Sequence, residues 1–459
     1  MNSIKPNVLL IVSDEMRPFE LGCYGGKDGN SPSIDRLAAR STVFETACTP
    51  NPVCTPARSC LLSGQYTRSC VGTLFNVDEP VRERVAFPAP TIAECFRSAG
   101  YHTVLTGKWH VKVNPHTLGF DEAVYPKAHH LNRNQLYYKD GKSFTVPGYV
   151  PYFELGQTRE FLLRKQEQPF FLYHNISLPH APAFDVPLRF HERYRGEEVT
   201  VRPNVRDGAD PEEARRKFLT YMYDYLYYME DNEKYSALPE DFDNADLLAL
   251  YKGMIAAADE QVGALMDMLW ESGHDKDTIV VFLSDHGDTL GSHGRYFKEN
   301  TDEETIRVPM MVSWPEHIAP SFNTRDVVSL IDVAPTLLGL AGVPIPPEMQ
   351  GENLSDVLLK GTPLERDRVF IECTNGEIAV RTPTHMYSVL TAHEREREDL
   401  QTIVDDQQRF YDLTVDPYEQ DNMAKTGRQP ETAAELRESV LEFQRTTPWF
   451  RREAPSNRS

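Results

Sequence analysis

Cys54 and Arg58 stand four residues apart in the run Val53-Cys54-Thr55-Pro56-Ala57-Arg58-Ser59-Cys60-Leu61-Leu62-Ser63-Gly64. A guanidinium orients an oxyanion through its planar fork, so a sulfur placed this close to one invites anion chemistry. The spacing is too short for the loop of a cysteine phosphatase, and a cysteine here without company would read as a buried thiol at a helix start. Two further clusters offer metal-type donors. Asp14-Glu15 follows the apolar run Val8-Leu9-Leu10-Ile11-Val12, and Ser284-Asp285-His286-Gly287-Asp288 follows Ile279-Val280-Val281-Phe282-Leu283. Lys108 and His110 in Gly107-Lys108-Trp109-His110, His180 after Leu178-Pro179, and Lys298 in Gly294-Arg295-Tyr296-Phe297-Lys298 add cations and proton carriers. Taken singly, each of these would read as loop polarity or a structural turn. His129, His130 and His293 have no such anchor and suit a surface or a substrate rim equally well.

The elements that must gather these residues are legible as strands. Continuous β-branched runs suit central parallel strands covered on both faces. In open α/β sheets, ligands bind beyond the carboxyl ends of the strands, which is where both acidic clusters fall. Phe170-Phe171-Leu172-Tyr173 predicts a third strand leading into Ser177-Leu178-Pro179-His180. Helical spacing covers Ile34 to Arg40, Thr91 to Ala99 and Leu247 to Trp270, with Pro32 and Pro90 ahead of the first two. The stretch from about Arg193 to Asn244 is acidic and tyrosine-rich, as an insertion or surface helix pair would be. Pro344-Ile345-Pro346-Pro347 and Gly361-Thr362-Pro363 punctuate the end of a larger unit. Short strand-like runs, Phe410-Tyr411-Asp412-Leu413 and a terminal helix from about Glu431 to Arg445 follow. The expectation is two domains, 1–365 carrying the site and a smaller α+β domain over 366–459.

At 459 residues the chain is too long for one compact core, which agrees with two domains. A net charge of −21 argues against nucleic acid or an anionic membrane as partner, and weighs against a long polysulfated polymer. No window approaches the roughly 20 apolar residues of a bilayer span. The run Val8 to Val12 is too short for a secretory signal and reads as a strand, so the expected compartment is the cytoplasm. Seven cysteines, an odd number without a Cys-x-x-Cys pair, favour reduced thiols over disulfides or structural zinc.

The Cys54 segment resembles the sulfatase motif Cys-x-Pro-x-Arg followed by a Ser-Gly pair, and the other motifs fall in that family's order. Asp14-Glu15-Met16-Arg17 through Gly22-Cys23-Tyr24-Gly25 and Ser31-Pro32-Ser33-Ile34-Asp35 is similar to the family's metal-binding opening, with Glu15 in place of its second aspartate. That departure leaves two readings: Glu15 ligates through a longer side chain, or the site uses one acid fewer. Gly107-Lys108-Trp109-His110 matches the motif whose lysine and histidine contact sulfate and nucleophile, and Asp285-His286 looks like the second metal pair. His180 falls where the family carries a histidine beside the leaving oxygen, and Lys298 where it has an active-site lysine. The resemblance implies an alkaline-phosphatase-like α/β fold, a mostly parallel sheet flanked by helices. It implies a divalent metal on Asp14, Glu15, Asp285, His286 and the modified Cys54. Oxygen donors favour calcium or magnesium, the imidazole also admits manganese, and family habit points to calcium.

The family's nucleophile is a formylglycine that a maturation enzyme makes from the cysteine, here Cys54, and that hydrates to a geminal diol. Arg58, Lys108 and Lys298 would then neutralise charge developing on the sulfuryl oxygens, and His180 or Lys298 would protonate the leaving oxygen. His110 would take the proton that lets sulfate leave. The expected reaction is hydrolysis of a carbohydrate, aryl or alkyl sulfate ester to alcohol and inorganic sulfate, with a lean toward the family's carbohydrate-sulfatase branch. Specificity would come from about Tyr125 to Phe153 and Phe184 to Asn244, and the tyrosine-rich insertion is compatible with a homo-oligomer. A phosphonate monoester hydrolase or phosphodiesterase of the same superfamily would keep this machinery. A non-catalytic anion binder would keep Cys54 unmodified.

Overall fold

A computed structural model describes residues 5–27, 30–71, 87–111, 113–127, 130–194, 199–206, 243–391 and 403–450. His129 and most of the expected insertion between Arg193 and Asn244 lie outside the described residues. The main sheet contains β1 (Asn7–Asp14), β2 (Thr42–Cys48), β3 (His102–Gly107), β4 (Glu122–Pro126), β5 (Arg133–Lys139) and β6 (Lys142–Tyr149). It continues with β7 (Phe170–Pro179), β8 (Thr278–Ser284), β9 (Arg307–Val308), β10 (Met310–Ser313) and β11 (Ser321–Ser329). The spatial order is β11-β2-β10-β8-β1-β7-β3-β4-β5-β6, with β9 paired to β2. Only β5, β9 and β10 among these run against the rest, so the sheet is mostly parallel.

The two runs read as central strands are indeed neighbours, and both are buried end to end. Their alternating side chains serve opposite faces. Val8, Leu10 and Val12 join Ile279, Val281 and Leu283 in one core, which the helices Cys54–Ser63, Ile92–Ser98 and Val333–Leu340 cover. Leu9 and Ile11 join Val280 and Phe282 in the other, covered by Pro32–Ala38, Pro151–Leu163 and the long helix Asn244–Glu271. Each such aliphatic side chain contributes about 1.5–3 kcal/mol on burial. Pairing register then decides the site: Ser13 lies opposite Ser284 and Asp14 opposite Pro179. Asp14, Asp285 and His180 therefore emerge side by side at one carboxyl edge.

A second, antiparallel sheet holds β12 (Val369–Glu372), β13 (Glu377–Arg381), β14 (His385–Thr391) and β15 (Ile403–Asp412). Ile378, Val380 and Val389 face Leu436, Val440 and Phe443 of the terminal helix Pro430–Thr446. Ile371, Ala379 and Met386 pack instead on Cys48, Ile306 and Val327 beside the main sheet. This is the expected α/β architecture with a smaller C-terminal α+β unit. Among the described residues no helix is long and apolar enough to cross a membrane.

One buried ion pair ties the segment after the Cys54 helix to the small sheet. Arg68 Nε donates to Glu372 Oε1 at 2.6 Å, and the guanidinium lies over the rings of Phe443 and Trp449. Both partners are fully buried. Removing one strands the other charge, so Arg68→Met should cost roughly 3–5 kcal/mol of stability. Denaturant unfolding checks this, and the Arg68→Met/Glu372→Met double variant should recover much of the loss.

Candidate active site

Cys54 is the first residue of the helix Cys54–Ser63, all ten residues of which are buried. Val53 is extended at the N-cap, and Pro56 falls in the first turn, where its missing N–H costs no helical bond. Gly64, at φ 64°, ends the helix in the left-handed conformation that glycine tolerates. The helix thus directs its positive end, with the side chain of Cys54, at the carboxyl edge of the sheet. Thr55 Oγ1 donates to His110 O at 2.7 Å and pins the Lys108-Trp109-His110 loop to the same turn. That loop leaves β3 at Gly107, φ 88°, where a Cβ would stand 2.0 Å from Asn175 O. Only glycine lets the ends of β3 and β7 close so tightly.

Around Cys54 Sγ stand His286 Nε2 at 3.1 Å, Lys298 Nζ at 3.5 Å and Asp14 Oδ1 at 3.6 Å. Asp14 contacts Lys108 Nζ through Oδ2, and Lys108 Nζ also lies 2.9 Å from His130 Nδ1. Arg58 runs beneath: its Nε is 2.9 Å from Asp285 Oδ2, its Nη2 is 4.0 Å from Asp14 Oδ1, and its Nη1 donates to Asn175 Oδ1 at 2.6 Å. Asp285 Oδ1 accepts from the amides of Glu15 and His286 at 3.1 and 2.9 Å.

The donor set fits a divalent cation. Asp14, Cys54, Asp285 and His286 each offer one ligand atom within 4.8 Å of the others. His286 Nδ1 lies 2.9 Å from Gly287 O, and a carbonyl can only accept, so Nδ1 carries the hydrogen. Burial pushes the His286 imidazole down to about 3, so it is neutral and Nε2 presents a lone pair toward the cluster. A backbone carbonyl orienting a ligating imidazole in this way is the usual support of metal sites. Asp285 Oδ2, buried, is met by the Arg58 guanidinium as an ion pair and keeps a further lone pair for a cation. Glu15 stands apart from this group. Held at φ 66°, it turns its carboxylate to Lys298 Nζ and His180 Nε2, each at 3.3 Å.

Protonation follows from burial and neighbours. Burial pushes the Cys54 thiol up to about 12, so the encoded side chain is a poor nucleophile near neutral pH. His180 and His130 are held well below the ordinary imidazole value, first by burial and then by nearby positive groups. For Lys298, burial opposes the charge, but the acidic groups around it, Glu15, Asp285 and Asp288 among them, raise the ammonium. Between the two candidate acids, Lys298 carries the proton at neutral pH.

All of Asp14, Glu15, Cys54, Arg58, Lys108, His110, His180, Asp285, His286 and Lys298 meet at this edge. Two site residues went unread in the sequence. His130, which suited a surface or a substrate rim equally, is buried, stacked on His180 at 3.8 Å between ring centroids and edge-on to His110. Asn175, which holds Arg58, lies within β7 just past its apolar run; polar His174-Asn175 after that run was the available signal. His293 sits away from this cluster.

Fixed cations around two buried aspartates suit an anion held beside a metal, and relatives identify the anion and the reaction. Residues 6–343 match the sulfatase family model, and residues 291–446 match N-sulphoglucosamine sulphohydrolase, C-terminal. The chain belongs to the sulfatase family, and is a sulfuric ester hydrolase. It is 28% identical over 437 residues to an ulvan-active sulfatase of Formosa agariphila, covering 91% of this chain and 77% of that one. Iduronate 2-sulfatase of Homo sapiens is 29% identical over 389 residues, covering 74% and 70%. A solved structure in complex with its substrate D-glucosamine-2-N,6-O-disulfate has the same fold, with TM-score 0.79, 23% identity and 96% and 98% coverage.

Asn175→Ala tests the support beneath Arg58. Freed from its clamp, Arg58 should drift from Asp285, and turnover should fall roughly 100-fold while the fold survives. Steady-state kinetics beside far-ultraviolet circular dichroism reads both.

Proposed function

We propose that this sulfatase cleaves a carbohydrate sulfate ester, using formylglycine made from Cys54 by a maturation enzyme and a divalent cation, most simply calcium. The observation that carries the reading is convergence on Cys54 Sγ: an imidazole, an ammonium and a carboxylate within 3.6 Å, at the start of a buried helix. The hydrated aldehyde would supply a nucleophilic hydroxyl that the buried thiol cannot, and the cation would neutralise the sulfuryl oxygens. Asp14, Asp285 and His286 would hold the cation, with residue 54 completing the set. In this reading Glu15 contributes through Lys298 and His180, the contacts its carboxylate makes, and the two aspartates would supply the carboxylate ligands.

The residues of the chain then divide the work. Arg58 and Lys108 bind the anion and lower the cost of charge building on it, acting where water is excluded. Lys298 holds the proton for the departing oxygen, a role worth roughly 100- to 10,000-fold. His180 and Glu15 orient that ammonium, and His110 accepts the proton from residue 54. A cavity of about 650 Å³ opens next to Lys298, lined by Arg295, Asn300, Asn375, Gln408 and Arg409 among others. Amides and guanidinium groups suit the hydroxyls of a sugar better than an aryl ring. The ulvan, iduronate and glucosamine names of the relatives support the same substrate class. The free thiols support a reducing, cytoplasmic setting.

The test is turnover of sugar sulfates, an aryl sulfate, a phosphonate monoester and a phosphodiester by protein co-expressed with a maturation enzyme. Sugar sulfates should give the highest kcat/KM, and Cys54→Ala and Lys298→Ala should lose at least about 1,000-fold and 100-fold. A preference for the phosphonate or diester would contradict the reading, and a preference for aryl sulfates would contradict the carbohydrate assignment alone.

A further inference from the structure

A second group of metal-type donors lies outside the active site. His293 comes from the loop that also carries Lys298, Glu304 from the short helix Glu303–Ile306, and Glu419 from the segment after β15. One ligand atom from each lies within 4.8 Å of the others. Glu304 and Glu419 are 0% and 2% exposed, and Glu304 Oε2 and Glu419 Oε1 have no hydrogen-bond partner. Their other oxygens are committed. Arg202 Nε and Asn204 Nδ2 donate to Glu304 Oε1 at 2.6 and 2.9 Å, and Glu303 N donates to Glu419 Oε2 at 2.9 Å.

The imidazole is equally underused. Asn204 Nδ2 has two hydrogens but three acceptors in reach: Glu304 Oε1 at 2.9 Å, Tyr418 O at 3.1 Å and His293 Nε2 at 3.1 Å. One acceptor is left over, and the carboxylate and carbonyl are the stronger claimants. His293 and Glu419 also both hold left-handed backbone, φ 55° and 53°, a cost that persists where the surroundings fix the side chain. Burial and the neighbouring acids Asp302, Glu303 and Glu304 push the Glu419 carboxyl well up, and a cation held between Glu304 and Glu419 would let both be ionised.

We propose that His293, Glu304 and Glu419 bind a divalent transition-metal ion, such as Zn2+, separate from the active-site cation. One imidazole with two carboxylates is a ligand set of zinc or manganese rather than of calcium. Arg202 occupies only Oε1 of Glu304 and leaves Oε2 to the ion, around which the three side chains contract slightly. His293 is half-buried, which gives the ion a route in. The ion clasps the loop carrying Lys298 to the C-terminal segment, two parts of the chain far apart in sequence.

The experiment is calorimetric titration of the whole protein, saturated with Ca2+, with zinc chloride, followed by zinc anomalous scattering from soaked crystals. We expect one Zn2+ per chain and an anomalous peak between the three side chains. His293→Ala and Glu419→Gln should each weaken that binding at least roughly tenfold while keeping Ca2+-dependent turnover. Glu419→Gln is isosteric and can donate to Glu304, so it carries the test if His293→Ala does not fold. Absence of zinc binding, a peak only elsewhere, or unchanged affinity in Glu419→Gln overturns the proposal. None of these outcomes depends on which ester the enzyme cleaves.

Discussion

Asp14 and Asp285 are both completely buried, at the ends of adjacent parallel strands. A carboxylate cannot sit in a dry interior without compensation, and two side by side repel one another as well. The rest of the site answers that constraint. Lys108 reaches Asp14, Arg58 runs from Asp285 toward Asp14, and the amides of Glu15 and His286 donate to Asp285. Burial disfavours charge on Asp285, but Arg58 and the other positive neighbours outweigh it and hold the carboxyl below its usual range. The charges that make the aspartates tolerable are also those an incoming sulfate meets. Removing either acid would therefore disturb the cation, Arg58 and the anion pocket together.

The scaffold enforces this by register rather than by flexible loops. Alternate residues of β1 and β8 fill two different cores, so a slip of one residue would turn both faces inside out. The same register brings Asp14 beside Asp285 and β7's end. Gly107 presses β3 onto β7 and so places Lys108, while a wholly buried helix places Cys54 and Arg58 one turn apart. Sites built on rigid elements hold their geometry more closely than sites on loops. Lys298 rides a longer loop, and that loop is anchored to the C-terminal unit through Arg295 and Arg409, which share Asp302.

Much of this was legible in the sequence for a physical reason. Strands buried on both faces must be continuously apolar, so Val8 to Val12 and Ile279 to Leu283 announced themselves, and the polar residues that end them had to be at the sheet's edge. The motif around Cys54 carried its own helix signals. What escaped depends on tertiary placement. His130 sits in the connection between β4 and β5, with no periodic frame to orient it, yet stacks on His180. Asn175 was missed because the strand runs on past Tyr173 to Pro179, further than its apolar run. The orientation of Glu15 follows from one left-handed residue, and composition does not report φ.

The central claim is that Cys54 does not work as a thiol: burial pushes it up to about 12, where little thiolate exists at neutral pH. The most direct measurement is mass spectrometry of the tryptic peptide Ser41–Arg58 after alkylation, from protein made with a maturation enzyme. That peptide holds two cysteines, Cys48 and Cys54. The account predicts a single alkylated thiol, at Cys48, with an aldehyde at residue 54 and turnover rising with the aldehyde fraction. Full turnover from a peptide alkylated at both positions would contradict it.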